Sequence, residues 1–178
     1  IIRRRIINTI LLNAEKHQLM DIVAERFLRE KRNSDILAAI LGYALEARCG
    51  EGGTHMNGAG HLTKLLLLEL CKRTDRYALE PDDIELISTA AGLHDIGKVL
   101  IPESILKKPG KLTAAEFELV KQHTTLGARL VAEMPAYQNE ALVKYIIEIC
   151  LRHHERWNGE GYPGGLRGDE CPIAAQVT

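Results

Sequence analysis

Five of the seven histidines in this 178-residue chain, His55, His94, His123, His153 and His154, fall on or just beyond the apolar stripes of four separate helical segments. An imidazole that faces a core needs a partner, because each buried, unpaired polar group costs about 1–3 kcal/mol. A chain that turns five of them inward folds only if something satisfies them together, and a shared cation does. Asp95 and Glu51 add oxygen donors to the nitrogen set, and such a mixed site suits Mn, Fe or Zn better than Ca or Mg. The four cysteines, Cys49, Cys71, Cys150 and Cys171, form no CxxC pair and stand apart from this set, which argues against a structural zinc site. They read as reduced thiols of a cytoplasmic protein.

Helical periodicity runs through nearly the whole chain, so the expected fold is all-α. Residues 1 to about 32 form a charged amphipathic segment with Ile6, Ile10, Leu19, Val23 and Phe27 at roughly helical spacing, either a surface helix or a connecting, dimerising one. A second helix is expected over residues 35–48, with Ser34 as its N-cap and Gly50 just past its end. A third, over residues 55–73, turns His55, Ala59, Leu62, Leu66 and Leu70 to one face. Gly58 and Gly60 inside it each cost about 1 kcal/mol relative to Ala, which predicts an irregular turn. Pro81 opens a helix whose stripe of Ile84, Ile87, Ala91 and His94 extends to Lys98, one turn beyond His94 on the same face. Thr113 and Glu116 make a capping box, stapled by Leu112 and Phe117, for a helix that carries Val120 and His123. Another helix runs over about 140–154, where Leu142, Ile146 and Ile149 lead to His153. Residues 157–172 are Gly- and Pro-rich and read as loop.

With 23 basic against 24 acidic residues and a net charge of -1, the chain lacks the electrostatic footprint of a DNA-binding protein or of one held to an anionic membrane. No apolar run reaches the roughly 18–20 residues of a membrane span, and Ile1-Ile2-Arg3-Arg4-Arg5 lacks the apolar stretch of a signal peptide. Any phosphate must be held locally, by metal or by a few side chains.

The adjacent pair His94-Asp95 is the most informative single feature, because an Asp carboxylate beside a ligand histidine can bridge two ions. It stands within Gly92-Leu-His-Asp-Ile-Gly-Lys98, and with three other blocks it carries a resemblance. Those blocks are Ala44-Leu-Glu-Ala-Arg48 with Glu51-Gly-Gly-Thr-His55, Lys108-Pro-Gly-Lys-Leu-Thr113 with His123-Thr124, and His153-His-Glu-Arg-Trp-Asn-Gly-Glu-Gly-Tyr-Pro163. Over residues 34–178 the chain resembles HD-GYP domains, of the HD superfamily of metal-dependent phosphohydrolases. The resemblance implies an HD-domain helical bundle with a metal centre in its core, preceded by an amphipathic connecting helix over residues 1–33. It implies two or three divalent transition metals, iron or manganese before zinc or nickel, on Glu51, His55, His94, Asp95, His123, His153 and His154. It gives Lys98 and Asp95 catalytic roles, and it puts Gly161, Tyr162 and Pro163 against substrate or a partner surface.

The activity so implied is hydrolysis of cyclic di-GMP to linear pGpG or GMP in bacterial second-messenger signalling. Metals would acidify a water toward a pKa of about 7 for in-line attack on phosphorus, and Lys98 would stabilise or protonate the departing ribose 3′-oxygen. The segment before residue 34 is similar to the link between a receiver domain and its output domain in two-component response regulators. An upstream receiver domain, a homodimer and signalling-protein partners are therefore expected. In the family a further metal-binding aspartate and phosphate-gripping Arg and Lys residues follow the last residues seen here, so the domain is expected to continue past Thr178. After His55 the family has Arg-Val or Arg-Ile where this chain has Met56-Asn57-Gly58. Two other readings stay open: an HD-type hydrolase of other nucleotides, and a silent cyclic-dinucleotide-binding or scaffold module.

Overall fold

The computed structural model describes residues 2–49 and 55–178, with side chains at 16–45, 47–49 and 58–178. Among these the chain is all-α. Its helices are α1 (Ile2–Cys49), α2 (His55–Arg73), α3 (Pro81–Ala91), α4 (Glu103–Leu106), α5 (Ala114–Lys121), α6 (His123–Ala132), α7 (Ala141–Arg152) and α8 (Ile173–Gln176). Short 3-10 turns lie at Ile96–Leu100, Pro135–Tyr137 and Gly168–Glu170, and an isolated bridge pairs Asn158 with Arg167.

The chain divides into two units, Ile1–Leu37 and Ala38–Thr178. In the first, every described side chain is exposed, including Leu19, Val23 and Phe27. Ser34 does not cap a new helix as the sequence suggests. It lies inside α1, where its hydroxyl donates to Glu30 O at 3.1 Å, the back-bonding a mid-helix serine uses when the backbone ladder is already complete.

In the second unit α3 packs against α2 and α7, and α7 packs against α6 and α8. Leu67, Ile87, Ala91, Val131, Ile146 and Ile149 meet in the core between these helices. Several starts follow from local chemistry. Pro81 opens α3 with its fixed φ, and the Glu80 N–H donates to Asp83 Oδ2 at 3.0 Å. Thr113 and Glu116 form the expected box, with Thr113 N–H to Glu116 Oε2 at 2.7 Å and Glu116 N–H to Thr113 Oγ1 at 3.3 Å.

Four further expectations are corrected. The buried face of α2 is Gly60, Thr63 and Leu67 rather than Leu62 and Leu66, which are 58% and 45% exposed. The helix is leucine-rich all round, so periodicity alone leaves its rotation undetermined, and the backbone decides. A Cβ on Gly60 would sit 2.6 Å from Ser88 O, so the glycine lets α2 lie against α3, and the helix passes regularly through Gly58 and Gly60.

Helix α3 stops at Ala91, and His94 and Asp95 lie in the turn before Ile96–Leu100, so Lys98 is reached by a 3-10 step and not by an α-helical i+4. The expected helix through Val120 and His123 is two helices: α5 ends at Lys121, and His123 is the first residue of α6.

The turn that carries His94 and Asp95 is docked on α6 through paired glycines. A Cβ on Gly97 would collide with the carbonyl of His123 and the amide of Gly127, and one on Gly127 would lie 3.0 Å from Gly97 N. Gly97→Ala is expected to lose about 1–3 kcal/mol in urea unfolding through this overpacking. Gly58→Ala, which meets open space on a helix, is expected to gain about 0.5–1 kcal/mol. Equal stabilities for the two variants would contradict the close docking.

Candidate metal centre

Three elements deliver the site. The turn after α3 brings His94 and Asp95, the first residue of α6 is His123, and α7 ends in His153, its C-cap, followed by His154. Each helix thus aims a terminus at one point, where helix-end carbonyls, each with a second lone pair, accept from side chains.

Those carbonyls orient three imidazoles. His94 Nδ1 donates to Ala91 O at 2.7 Å, His123 Nδ1 to Val120 O at 2.6 Å, and His153 Nδ1 to Ile149 O at 2.9 Å. A carbonyl only accepts, so each Nδ1 carries the proton and each Nε2 points the other way, into the centre. This is how metal-ligating histidines are held. At the centre lies the buried Asp95 carboxylate. His123 Nε2 is 3.2 Å from Oδ1 and His153 Nε2 is 3.9 Å from it, while His94 Nε2 is 3.1 Å and Lys98 Nζ 2.9 Å from Oδ2. The Nε2 atoms of His123 and His153 face each other at 3.1 Å.

The donor set fits a cation. Asp95 Oδ1 is buried with no hydrogen bond among the described residues, because neutral imidazoles turn lone pairs and not protons toward it. Asp95, His123, His153 and His154 each offer an atom within 4.8 Å of the others. The inward lone pairs of His123 and His153, a His154 ring nitrogen and a carboxylate oxygen form a donor set that a divalent ion satisfies.

Electrostatics agree. Burial opposes charge on Asp95, but the His94 hydrogen bond and charge, with Lys98, hold its carboxyl far below the usual range. Burial pushes His153 down to about 3, helped by the charges of His94 and His154. His154 falls to about 4 through burial and His123, and His123 is lowered by burial too. His94 goes the other way: burial disfavours its cation, yet its bond to Asp95 raises it. Burial moves Cys150 up to about 12, an inert thiol behind the site.

The expected residues therefore divide. His94, Asp95, Lys98, His123, His153 and His154 come together. Glu51 lies outside the described residues, and of His55 only the backbone is described, at the start of α2. Tyr162 reaches the site, its ring stacked on His154 with centroids 4.6 Å apart and planes 22° apart. Gly161 lies so close to the backbone of Glu155 and Arg156 that a Cβ would collide with both, which gives it a packing reason independent of ligand. Pro163 follows Tyr162 through a cis peptide bond and is exposed.

Sequence reasoning missed Glu155. Its Oε1 accepts from Gly164 N–H at 2.6 Å and its Oε2 from Leu166 N–H at 2.9 Å, clamping the glycine-rich loop. The available signal was a carboxylate beside a histidine pair just before a run of glycine amides.

A family model described as the HD domain matches residues 18–177. A probable cyclic di-GMP phosphodiesterase of Vibrio cholerae is 40% identical over 172 residues, 94% of this chain and 38% of the relative. A 3′3′-cGAMP-specific phosphodiesterase of the same organism is 36% identical over 149 residues, 83% of this chain and 26% of the relative. A cyclic di-GMP phosphodiesterase response regulator of Xanthomonas campestris is 36% identical over 149 residues, 84% of this chain and 36% of the relative. The chain thus spans roughly a quarter to two-fifths of the length of these curated relatives.

The histidine shifts fix the acid behaviour of the protein in chelator. His153 and His154 stay neutral in the folded state down to about 3 and about 4, whereas the unfolded chain charges them near 6.5. The unfolded state binds more protons through that window, so stability should fall as pH drops from about 6.5 toward about 4. His94, raised, contributes in the opposite sense: its part is present below about 6.5 and is lost as pH rises through its folded value. Urea midpoints measured across this range should decline on the acid side, and a level profile would contradict the neutral buried imidazoles.

Proposed function

This chain belongs to the HD-domain family, and from that premise we propose that the protein containing it is a metal-dependent phosphodiesterase that hydrolyses cyclic di-GMP. The observation that carries the reading is the buried Asp95 carboxylate with oriented imidazole lone pairs gathered about Oδ1. The relatives named as cyclic di-GMP phosphodiesterases support the substrate class. Divalent metals, iron or manganese in two or three sites, would supply an acidified water and neutralise phosphoryl charge when bound. His94, Asp95, His123, His153 and His154 would hold them, with Glu51 and His55 as further ligands.

The chain's own residues do the rest. Nδ1-to-carbonyl bonds keep three rings aimed without reorganisation during a turnover. Asp95 presents one oxygen to the His123 and His153 side and the other to His94 and Lys98, which suits a bridging carboxylate. Lys98, on the 3-10 turn beside the carboxylate and only 16% exposed, can shift its ammonium to a non-bridging oxygen or to the leaving ribose 3′-oxygen. Gly161, Tyr162 and Pro163 would border the substrate. No covalent nucleophile is called for, in keeping with the high pKa of Cys150.

A second reading, hydrolysis of 3′3′-cGAMP, is favoured by the relative of that specificity. Residues 1–33 are read as a connecting helix and 34–178 as the HD-GYP domain, controlled by an upstream receiver domain and paired as a homodimer. The response-regulator relative supports the receiver, and the exposed apolar residues of α1 support the pairing. Among the described residues no helix is long and apolar enough to cross a membrane.

Full-length protein should contain two or three Fe or Mn per chain by elemental analysis, and should cleave cyclic di-GMP ahead of 3′3′-cGAMP and nucleoside triphosphates assayed side by side. Activity on triphosphates alone would sink the proposal. Asp95→Asn should lose metal and activity together, whereas Lys98→Ala should keep its metal and lose about 10²–10³-fold in kcat.

A further inference from the structure

Four imidazoles converge on Asp95, and three of them are anchored alike. His94, His123 and His153 each donate Nδ1–H to a main-chain carbonyl at 2.6–2.9 Å. His154 is different. Its ring makes no hydrogen bond among the described residues, although it supplies one of the four donor atoms of the converging group. His153 packs on it with centroids 4.2 Å apart and planes at 45°, and His123 meets it edge-on at 5.1 Å, but these are fellow donors of the same group and neither anchors its far nitrogen as a carbonyl anchors theirs.

What touches the His154 ring on the loop side is Tyr162. The two rings lie nearly parallel, 22° apart with centroids separated by 4.6 Å, and the Tyr162 N–H donates to His154 O at 3.2 Å, so backbone and side chain of the same residue grip the same histidine. Offset stacking at this distance is worth about 0.5–1.5 kcal/mol beyond the area it buries. Tyr162 is itself held from both ends. Glu155, next to His154, accepts the amides of Gly164 and Leu166, and Gly161 lets the loop backbone press on residues 155 and 156 where any Cβ would collide. Lys121 Nζ lies 5.4 Å from the Tyr162 ring centroid and is tied to Glu118 at 2.7 Å.

We propose that Tyr162 is a positioning residue for His154: its stacked ring takes the place of the Nδ1-to-carbonyl bond that orients the other three imidazoles. Tyr162 then acts on the metal site through His154, whatever its hydroxyl does toward substrate. The ring is the working part, and the Glu155 clamp makes it rigid. This rests on the metal-centre reading above.

The test is a Co²⁺ titration of full-length protein followed by the visible absorption of the bound ion, with melting temperatures in chelator recorded alongside. Tyr162→Phe keeps the stack and should bind Co²⁺ within about twofold of wild type. Tyr162→Ala and Tyr162→Leu remove the plane, and each should bind about 10–100-fold more weakly, the usual cost of losing the group that orients a ligand. The chelated melting temperatures of Phe and Leu variants should match, which separates orientation from folding and leaves Leu as the reading if the Ala variant does not fold. Wild-type affinity in the Leu variant would overturn the proposal. So would a Phe variant as weak as Leu, since the hydroxyl would then be the active group. Failure of wild type to bind any Co²⁺ would bring down the metal-centre reading and this inference together, a pattern distinct from either of those results.

Discussion

Burying the Asp95 carboxylate in a helical bundle would cost several kcal/mol if nothing answered its charge, and most of what surrounds it answers that charge. Lys98 and His94 lie within about 3 Å of Oδ2, where the carboxylate raises the pKa of His94 against the effect of burial. The segment bearing all three is compact because the α-helix ends before it and a tighter 3-10 turn follows. Ending α3 at Ala91 lets His94, Asp95 and Lys98 come round one bend instead of climbing a helix, and Gly97 lets that bend rest on the backbone of α6. Were α3 to continue, Asp95 would point roughly 100° away from His94 and the two could share a centre only by lying close against it.

The same carboxylate explains why helix termini, rather than helix faces, make the site. An imidazole at a helix end finds a carbonyl three or four residues back with a second lone pair to offer, so its Nδ1 proton is used locally and its Nε2 is committed to the interior. That commitment is stable only in the neutral ring, and burial keeps His153 and His154 neutral well below physiological pH. Packing energy from Ile146, Ile149 and the rest of the core is what holds these termini together against the mutual discomfort of four crowded rings.

Much of this was legible in the sequence because chemistry and periodicity pointed the same way. The all-α class, the Thr113 box, Pro81 as a helix opener and the convergence of histidines from separate segments all depend on residue type and spacing, which a sequence carries in full. What was not legible depends on backbone against backbone. The rotation of α2 is set by Gly60 meeting Ser88 O, and six leucines on that helix gave periodicity nothing to choose between. The break between α5 and α6 occurs at Gln122 in ordinary αR geometry, with no Gly or Pro to announce it. Ser34 had the right type for a cap and the wrong place, since residues 30–38 never leave the helix. Glu155 escaped notice because its partners are amides of Gly164 and Leu166, and an amide leaves no mark in a sequence.

The two oxygens of Asp95 are therefore not equivalent. Around Oδ2 the carboxylate meets the Lys98 ammonium and the His94 ring, whose cation it favours; around Oδ1 it meets Nε2 of His123 and His153, which burial favours as neutral rings. A carboxylate balanced on one side only leaves its other oxygen as a strong, buried, unpaired acceptor in a region of low dielectric, where an unanswered group is most costly. Protein side chains could have closed that side with a single serine or asparagine. The chain places further donors there instead, and a cation satisfies those imidazole nitrogens and the anionic oxygen at once.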